Sequence, residues 1–378
     1  MKQKIRVGII GARADRGWAG AIHVPAVRAV SELDLVAVAT TKENTAKAAS
    51  DAFNVPLSFG NPFELIRHPE VDMVSVVVKA PEHRGLVLAA VEAGKPVFCE
   101  WPLGISLAET DELAKTAAQR NVKTAIGLQG RYSPWLNHVR ALVRDGYVGR
   151  MLSTTLFAED DFSTGKVSEG NAYMMNVANG VNPLTIHGGH FIDSLCHVAG
   201  ELAVVTARLA TTIPYVTVHE TGERLRSTSP DQVVVAATLA SGGVASIHIR
   251  AGRSPGNLLF WEIQGIDGIL RITSKSGFMH WDPLKIEGAR TGASRFEILE
   301  TPADCFEPRI QSGDSPHHNV AYLYSAFARD LIHGTRITCD FDDALVRHRT
   351  IDTIARAAAN GLTLPLESGT EADTRIDR

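Results

Sequence analysis

Cysteine is scarce: Cys99, Cys196, Cys305 and Cys339 are the only four in 378 residues, and no two form a Cys-x-x-Cys pair. A chain of this length needs no covalent staples, so reduced buried thiols are expected, and neither a disulfide framework nor a cysteine-based zinc site. Long apolar runs are also missing. No stretch reaches the roughly 18 apolar residues of a membrane span, and the opening run Ile5 to Ile10 is too short for the core of a secretory signal. The expected setting is therefore the cytoplasm, with no membrane partner. Like charges form no block, and 38 Lys+Arg against 42 Asp+Glu leave a net charge of −4, which offers no footprint for nucleic acid. Internal repeats and low-complexity tracts do not occur.

What remains is a globular composition, 44% hydrophobic and 21% charged, in more residues than one core usually holds. Two domains are expected. The first third alternates six short apolar runs with helical stretches such as Ser106 to Arg120. The runs are Ile5–Ile10, Leu33–Ala39, Leu57–Phe59, Val71–Val78, Val97–Cys99 and Lys123–Gly127. That alternation belongs to a parallel sheet wound by crossover helices. After about Arg131 longer strands alternate with period two, as in Gln232–Leu239 and Val244–Arg250 around Ser241-Gly242-Gly243, a turn for antiparallel strands. The fold class is α/β: a dinucleotide-binding domain over 1–128, then an α+β substrate-binding and oligomerisation domain over 129–366 with a mostly antiparallel open sheet, whose last helix, about 342–359, has the first domain as an alternative packing partner, and a frayed tail over 367–378. Helices are expected near Gly189–Val198, His318–Ile332 and Asp342–Ala359, and Ser163–Asn182 reads as a long loop or lid. So few helices cannot cover both faces of the second sheet, so a homodimer or homotetramer is expected.

The first strand runs into Gly11-Ala12-Arg13-Ala14-Asp15-Arg16-Gly17-Trp18-Ala19-Gly20 and then a helical stretch. A strict G-x-G-x-x-G fails at Arg13, but Gly17 and Gly20 keep the spacing of the last two glycines, as if the turn had been lengthened. Such a turn places backbone N–H groups and a helix N-terminus at a pyrophosphate. The second strand ends in Thr40-Thr41-Lys42, where an NAD site normally carries a carboxylate for the ribose. Two hydroxyls and a cation suit a 2′-phosphate instead, with Arg13 or Arg16 adding a charge-assisted bond, so the expected cofactor is NADP, with NAD possible. His317-His318 near Asp314 cannot converge on one ion, and no metal is expected.

The stretch from Val71 to Gly104, ending in Ala93-Gly94-Lys95, Val97 and Glu100-Trp101-Pro102, resembles the Gfo/Idh/MocA oxidoreductase family. The run His187 to Asp193 is similar to that family's D-x-G-x-H-x-x-D helix, and Asp342-Asp343-Ala344 to its C-terminal pattern. The resemblance implies a Rossmann fold, a nicotinamide cofactor and a carbohydrate-like substrate. Two departures stand out: Trp101 occupies the place of the family's catalytic lysine and Ile186 that of the first aspartate, leaving His190 of the set. The Gly17-Trp18 turn and Glu100-Trp101 resemble a narrower, galactose-repressor-like branch whose members bind the dinucleotide as regulators.

His190 is then the expected base, with His187 on the same helix face as a relay and Lys79, at the end of the strongest strand, restoring a positive charge. Cofactor contacts are expected from Gly11, Arg13, Arg16, Gly17, Trp18, Thr40, Thr41, Lys42, Lys79, His83, Glu100 and Trp101. Substrate contacts are expected from Trp101, Tyr173, Asn176, His187, His190 and Asp193. Three readings stay open: a dehydrogenase for sugars, polyols or related cyclic hydroxyl compounds, a cofactor- and sugar-binding regulator without turnover, and a redox-assisted lyase or glycosidase.

Overall fold

The computed structural model describes residues 4–160, 164–252, 255–307, 310 and 317–366. They form two compact units, one from the chain up to Tyr132 with Glu307–Leu345, the other from Ser133–Phe306 with the chain from Val346 on. The first unit thus includes a late stretch of chain, Glu307–Leu345, as well as its N-terminal part.

In the first unit six parallel strands lie in the order β3-β2-β1-β4-β5-β6, where β1 is Ile5–Ile10, β2 Leu33–Ala39, β3 Leu57–Phe59, β4 Met73–Val76, β5 Val97–Cys99 and β6 Thr124–Ile126. The chain winds outward from β1 to β3, then restarts on the other side at β4, so the strand order reverses between β1 and β4. All four β4 residues are buried, as expected of a central strand whose run is apolar but for Ser75. The crossovers are α1 (Val24–Ala29), entered through a π turn over Ala19–His23, then α2 (Glu43–Phe53), α3 (Pro62–Arg67), α4 (His83–Glu92) and α5 (Leu107–Gln119). Ser106 starts α5 as an N-cap, its hydroxyl accepting from the Glu109 N–H.

In the second unit α6 (Pro134–Arg144) and α7 (His187–Ala199) accompany a nine-stranded sheet. Its strands are β7 (Met151–Asp160), β9 (Leu202–Ala210), β12 (Gln232–Leu239), β13 (Val244–Ala251), β14 (Leu259–Gly265), β15 (Gly268–Ser274), β16 (Lys285–Arg290), β17 (Glu297–Ile298) and β18 (Leu364–Pro365). Their order is β17-β16-β15-β14-β7-β13-β12-β9-β18, antiparallel throughout except at β7/β13. The β12–β13 hairpin pairs Thr238 with Val244 across the expected glycine turn. One face carries Val233, Val235, Ile247 and Ile249 into the core, and α7 approaches it where Gly188 faces Ile249; the other face leaves Val234 43% and Val244 56% exposed. The long connection from Gly165 to Asn182 carries β8 (Lys166–Val167) and two short 3₁₀ turns, Ala172–Met175 and Val177–Asn179. With β10 (Tyr215–Val218) and β11 (Arg224–Arg226), β8 makes a small sheet whose Val167, Val216 and Val218 are buried. The tail from Glu367, Ser163 and Asp314 lie outside the described residues.

The last two helices are α8 (His317–His333), packed on α1, and α9 (Phe341–Asn360). In α9 the fully buried Arg347 reaches Asp193 of α7 through Nε at 3.2 Å and Glu201 through Nη2 at 2.8 Å, and donates to Cys196 Sγ at 3.2 Å. A guanidinium without water needs such acceptors, since a lone buried charge costs several kcal/mol.

His348, next along α9, is also buried, and burial pushes its imidazole down to about 3 from 6.5. The unfolded chain therefore binds a proton below pH 6.5 that the folded chain refuses, and stability must fall as pH drops through that window toward 3. We expect this residue to contribute a loss of about 1.4 kcal/mol per pH unit there. Urea unfolding at about pH 6.5 and about pH 5 checks it: His348→Leu should flatten the slope by close to one proton, and an unchanged slope would contradict the assignment.

Candidate functional site

The turn after β1 sits where the strand order reverses, the place at which open α/β sheets bind ligands. Gly11 has φ +100°, and a Cβ there would stand 2.0 Å from the Val77 carbonyl oxygen. At Gly20 a Cβ would fall 2.6 Å from the Arg13 carbonyl oxygen and 2.9 Å from the Phe53 ring, so this residue seats the helix. Gly17, with φ +96°, has nothing within 4 Å of its missing Cβ. One glycine lets the strand pass, one packs the helix, and one leaves bare backbone facing open space. That division fits a pyrophosphate cradle, although the turn is longer than usual. Within the turn Arg13 is spent on Asp15 in a bidentate pair at 2.9 Å, while Arg16 is exposed and Trp18 half-buried.

At the end of β2 the hydroxyl pair divides. Thr40 is buried, its Oγ1 donating to the Lys42 carbonyl at 2.9 Å and touching Thr45 Oγ1 at 2.6 Å, so it builds the entry to α2. Thr41 and Lys42 are exposed.

Lys79 follows β4, exposed, at the head of the turn Ala80–Glu82. His83 is buried, with Nδ1 3.0 Å from the Pro102 carbonyl and Nε2 3.1 Å from the Val78 carbonyl. It clasps the turn after β4 to the turn after β5, and burial lowers its pKa. Trp101, on a cis bond to Pro102, is buried. Glu100 turns inward: its Oε1 lies 2.8 Å from His23 Nε2, off the axis of a good hydrogen bond. His23 Nδ1 is 2.8 Å from the Tyr324 hydroxyl, which donates to Ser75 Oγ at 2.9 Å. Within the protein, Glu100 thus meets His23, and His83 bridges two backbone carbonyls.

In the second unit His187 and His190 share a face of α7, both buried. The His187 ring lies 5.2 Å from Phe278, and the His190 ring is stacked on His280 at 4.1 Å with an interplanar angle of 7°. Trp281 closes the cluster 4.9 Å from His280. Asp193, on the same helix, accepts from Arg347 Nε at 3.2 Å. Asn176 uses its side-chain carbonyl to accept from the Ala178 N–H, and Tyr173 is half-buried on the turn before it. Among the described residues no group of three His, Cys, Asp or Glu side chains is arranged to hold a metal.

His23, Tyr324, His280 and Arg347 were missed from sequence. His23 follows Gly20 by one helical turn and Arg347 sits on a helix face read only as amphipathic; neither carries a local signal of burial. The aromatic density of Phe278-Met279-His280-Trp281 was the one available hint.

Residues 5–128 match the model of the oxidoreductase family with an NAD-binding Rossmann fold, Gfo/Idh/MocA, and residues 134–274 match that of the Gal80p C-terminal domain. The chain is 30% identical to dehydrogenase aclE of Aspergillus oryzae over 374 residues, covering 96% of this chain and 98% of that one. It is 25% identical to the galactose/lactose metabolism regulatory protein GAL80 of Saccharomyces cerevisiae over 95% of its own length and 94% of the relative's. Among solved structures, a super-repressor mutant of yeast Gal80p superposes with TM-score 0.85 at 23% identity, over 96% and 98% of the two chains. Levoglucosan dehydrogenase in complex with NADH and levoglucosan superposes with TM-score 0.84 at 20% identity, over 97% and 100%. The chain belongs to the Gfo/Idh/MocA family of oxidoreductases.

Proposed function

We propose that this protein is a cytoplasmic, NADP-preferring dehydrogenase that oxidises a hydroxyl of a sugar, polyol or related cyclic compound. The observation that carries the reading is the glycine turn, closed at Gly11 and Gly20 and open at Gly17, which fits a dinucleotide. When bound, the nicotinamide supplies the hydride acceptor. His190, as a neutral imidazole, takes the hydroxyl proton, and His187 one turn earlier passes it on. Trp101 replaces a lysine with an apolar wall, and Lys79 supplies the cation that the family keeps at that place. Tyr173 hydrogen-bonds substrate hydroxyls. Levoglucosan dehydrogenase, a fold neighbour crystallised with NADH and a sugar, supports the substrate class.

A second reading has its own observation. Trp101 and Ile186 stand where the family's proton-transfer residues would be, and similarity to a galactose regulatory protein runs along 95% of the chain. On that reading cofactor and sugar bind without turnover.

NADPH should bind more tightly than NADH by roughly 10- to 150-fold, the equivalent of one charge-assisted phosphate bond. Fluorescence titration with both reduced cofactors reads this, and Lys42→Ala should close most of the gap; equal affinities in the wild type would count against NADP. Against a panel of aldoses, polyols and sugar lactones, His190→Ala should lower turnover by about 10²- to 10⁴-fold while leaving NADPH affinity intact. Undiminished turnover would remove His190 as base. Cofactor and sugar binding with neither absorbance change at 340 nm nor a redox-neutral product by mass spectrometry would favour the regulator.

The open face of the nine-stranded sheet, with Val234 and Val244 exposed, calls for a second copy of the chain. Light scattering should give a multiple of 40.7 kDa at micromolar concentration, and the monomer mass itself would argue against assembly.

A further inference from the structure

The proposed base does not lie alone on its helix. His280 comes from the connection between β15 and β16, a part of the chain remote in sequence from α7, and its ring lies flat on that of His190, 4.1 Å away and tilted by only 7°. Three other aromatic contacts surround the His280 ring: Phe278 at 5.8 Å, Phe191 at 6.2 Å and Trp281 at 4.9 Å. Near-parallel rings at this distance are in stacking contact, and the three aromatic neighbours of His280 restrict its freedom to turn away. An imidazole swings about two side-chain torsions, and a base is effective only when its nitrogen meets the hydroxyl within hydrogen-bond reach.

We propose that His280 is a positioning residue for His190: its buried ring is the floor that fixes the plane in which His190 presents its nitrogen to a substrate hydroxyl. The inference rests on the reading of His190 as the base. The titratable groups facing His280 are His187 and His190 from α7, with Asp282 on its own segment. Burial holds His280 well below the ordinary imidazole range, and the charges of the two α7 histidines would push it the same way. An uncharged floor sets no like charge against the proton that His190 receives. Asp282, half-buried, is itself pushed up to about 6.

The test compares His280→Phe, which keeps a flat ring and loses both nitrogens, with His280→Ala, which loses the floor. Protein carrying labelled histidine is read by NMR, with the His190 ring signals identified among the 14 histidines by their loss in His190→Gln. In the wild type and His280→Phe these ring protons should carry the shift caused by a stacked aromatic ring, and in His280→Ala they should lose it. Well below the lower melting temperature, kcat on the best hydroxyl compound of the panel should fall about 10- to 100-fold in His280→Ala with KM unchanged. His280→Phe should restore most of it. A merely structural role would lower the melting temperature without that split or that rescue. His190 signals unmoved by His280→Ala would overturn the proposal, as would a His280→Phe protein that keeps the ring shift but not the rate. If the wild type turns over nothing, the dehydrogenase reading fails, and the ring-shift comparison still decides the place of His280.

Discussion

At the end of β1 the chain passes so close to the Val77 carbonyl that residue 11 has no room for a side chain. That single close approach aligns β1 with the end of β4 where the strand order reverses. It also commits the backbone to a positive φ, and the loop that follows must return to the sheet before the helix can start. Gly20 makes the return possible by letting the helix sit on Arg13 and Phe53, and Gly17 is then left on the open side. A dinucleotide site in this unit is a consequence of how tightly the two strands meet. The extra residues between Gly11 and Gly17 do not disturb it, since their one strong charge pair, Arg13 with Asp15, closes within the loop.

Two buried polar networks then hold what the apolar cores alone would leave loose. In the first unit Ser75, Tyr324, His23 and Glu100 join β4, α8, the π turn and the end of β5. In the second, Arg347 joins α9 to α7 through Asp193 and continues to Glu201. Burying such groups gains little net stability over apolar side chains of the same shape, but breaking one partner is expensive. Their effect is to exclude other packings. The helix that carries His187 and His190 is fixed from behind by Asp193 and in front by the aromatic connection after β15.

The sheet of the first unit was legible because each of its strands is a short apolar run bounded by helical periodicity, and even the weak Leu57–Phe59 run proved to be an edge strand. The β12–β13 hairpin was legible for the equivalent reason, a glycine turn between strands of period two. The return of Glu307–Leu345 to the first unit was not, since periodicity reports which face of a helix is buried and not what it is buried against. The same limit governs the site. Glycine spacing survives in sequence because its cause is local backbone geometry. Thr40 and Glu100 stand at strand ends and His83 at a helix start; the contacts their side chains make within the protein are with segments that spacing along the chain does not reveal. For His280 the aromatic density around it was the one sequence hint, and its pairing with His190 was not legible, since no local pattern connects it to that helix.

The central claim, that the lengthened glycine turn holds an NADP-type dinucleotide, is tested most directly by a crystal structure of the protein grown with saturating NADPH. The account predicts the pyrophosphate against the backbone of the turn at Gly17 and the 2′-phosphate against Lys42. Dinucleotide bound elsewhere on the chain, or a turn with no pyrophosphate at a concentration that saturates binding in solution, would contradict it.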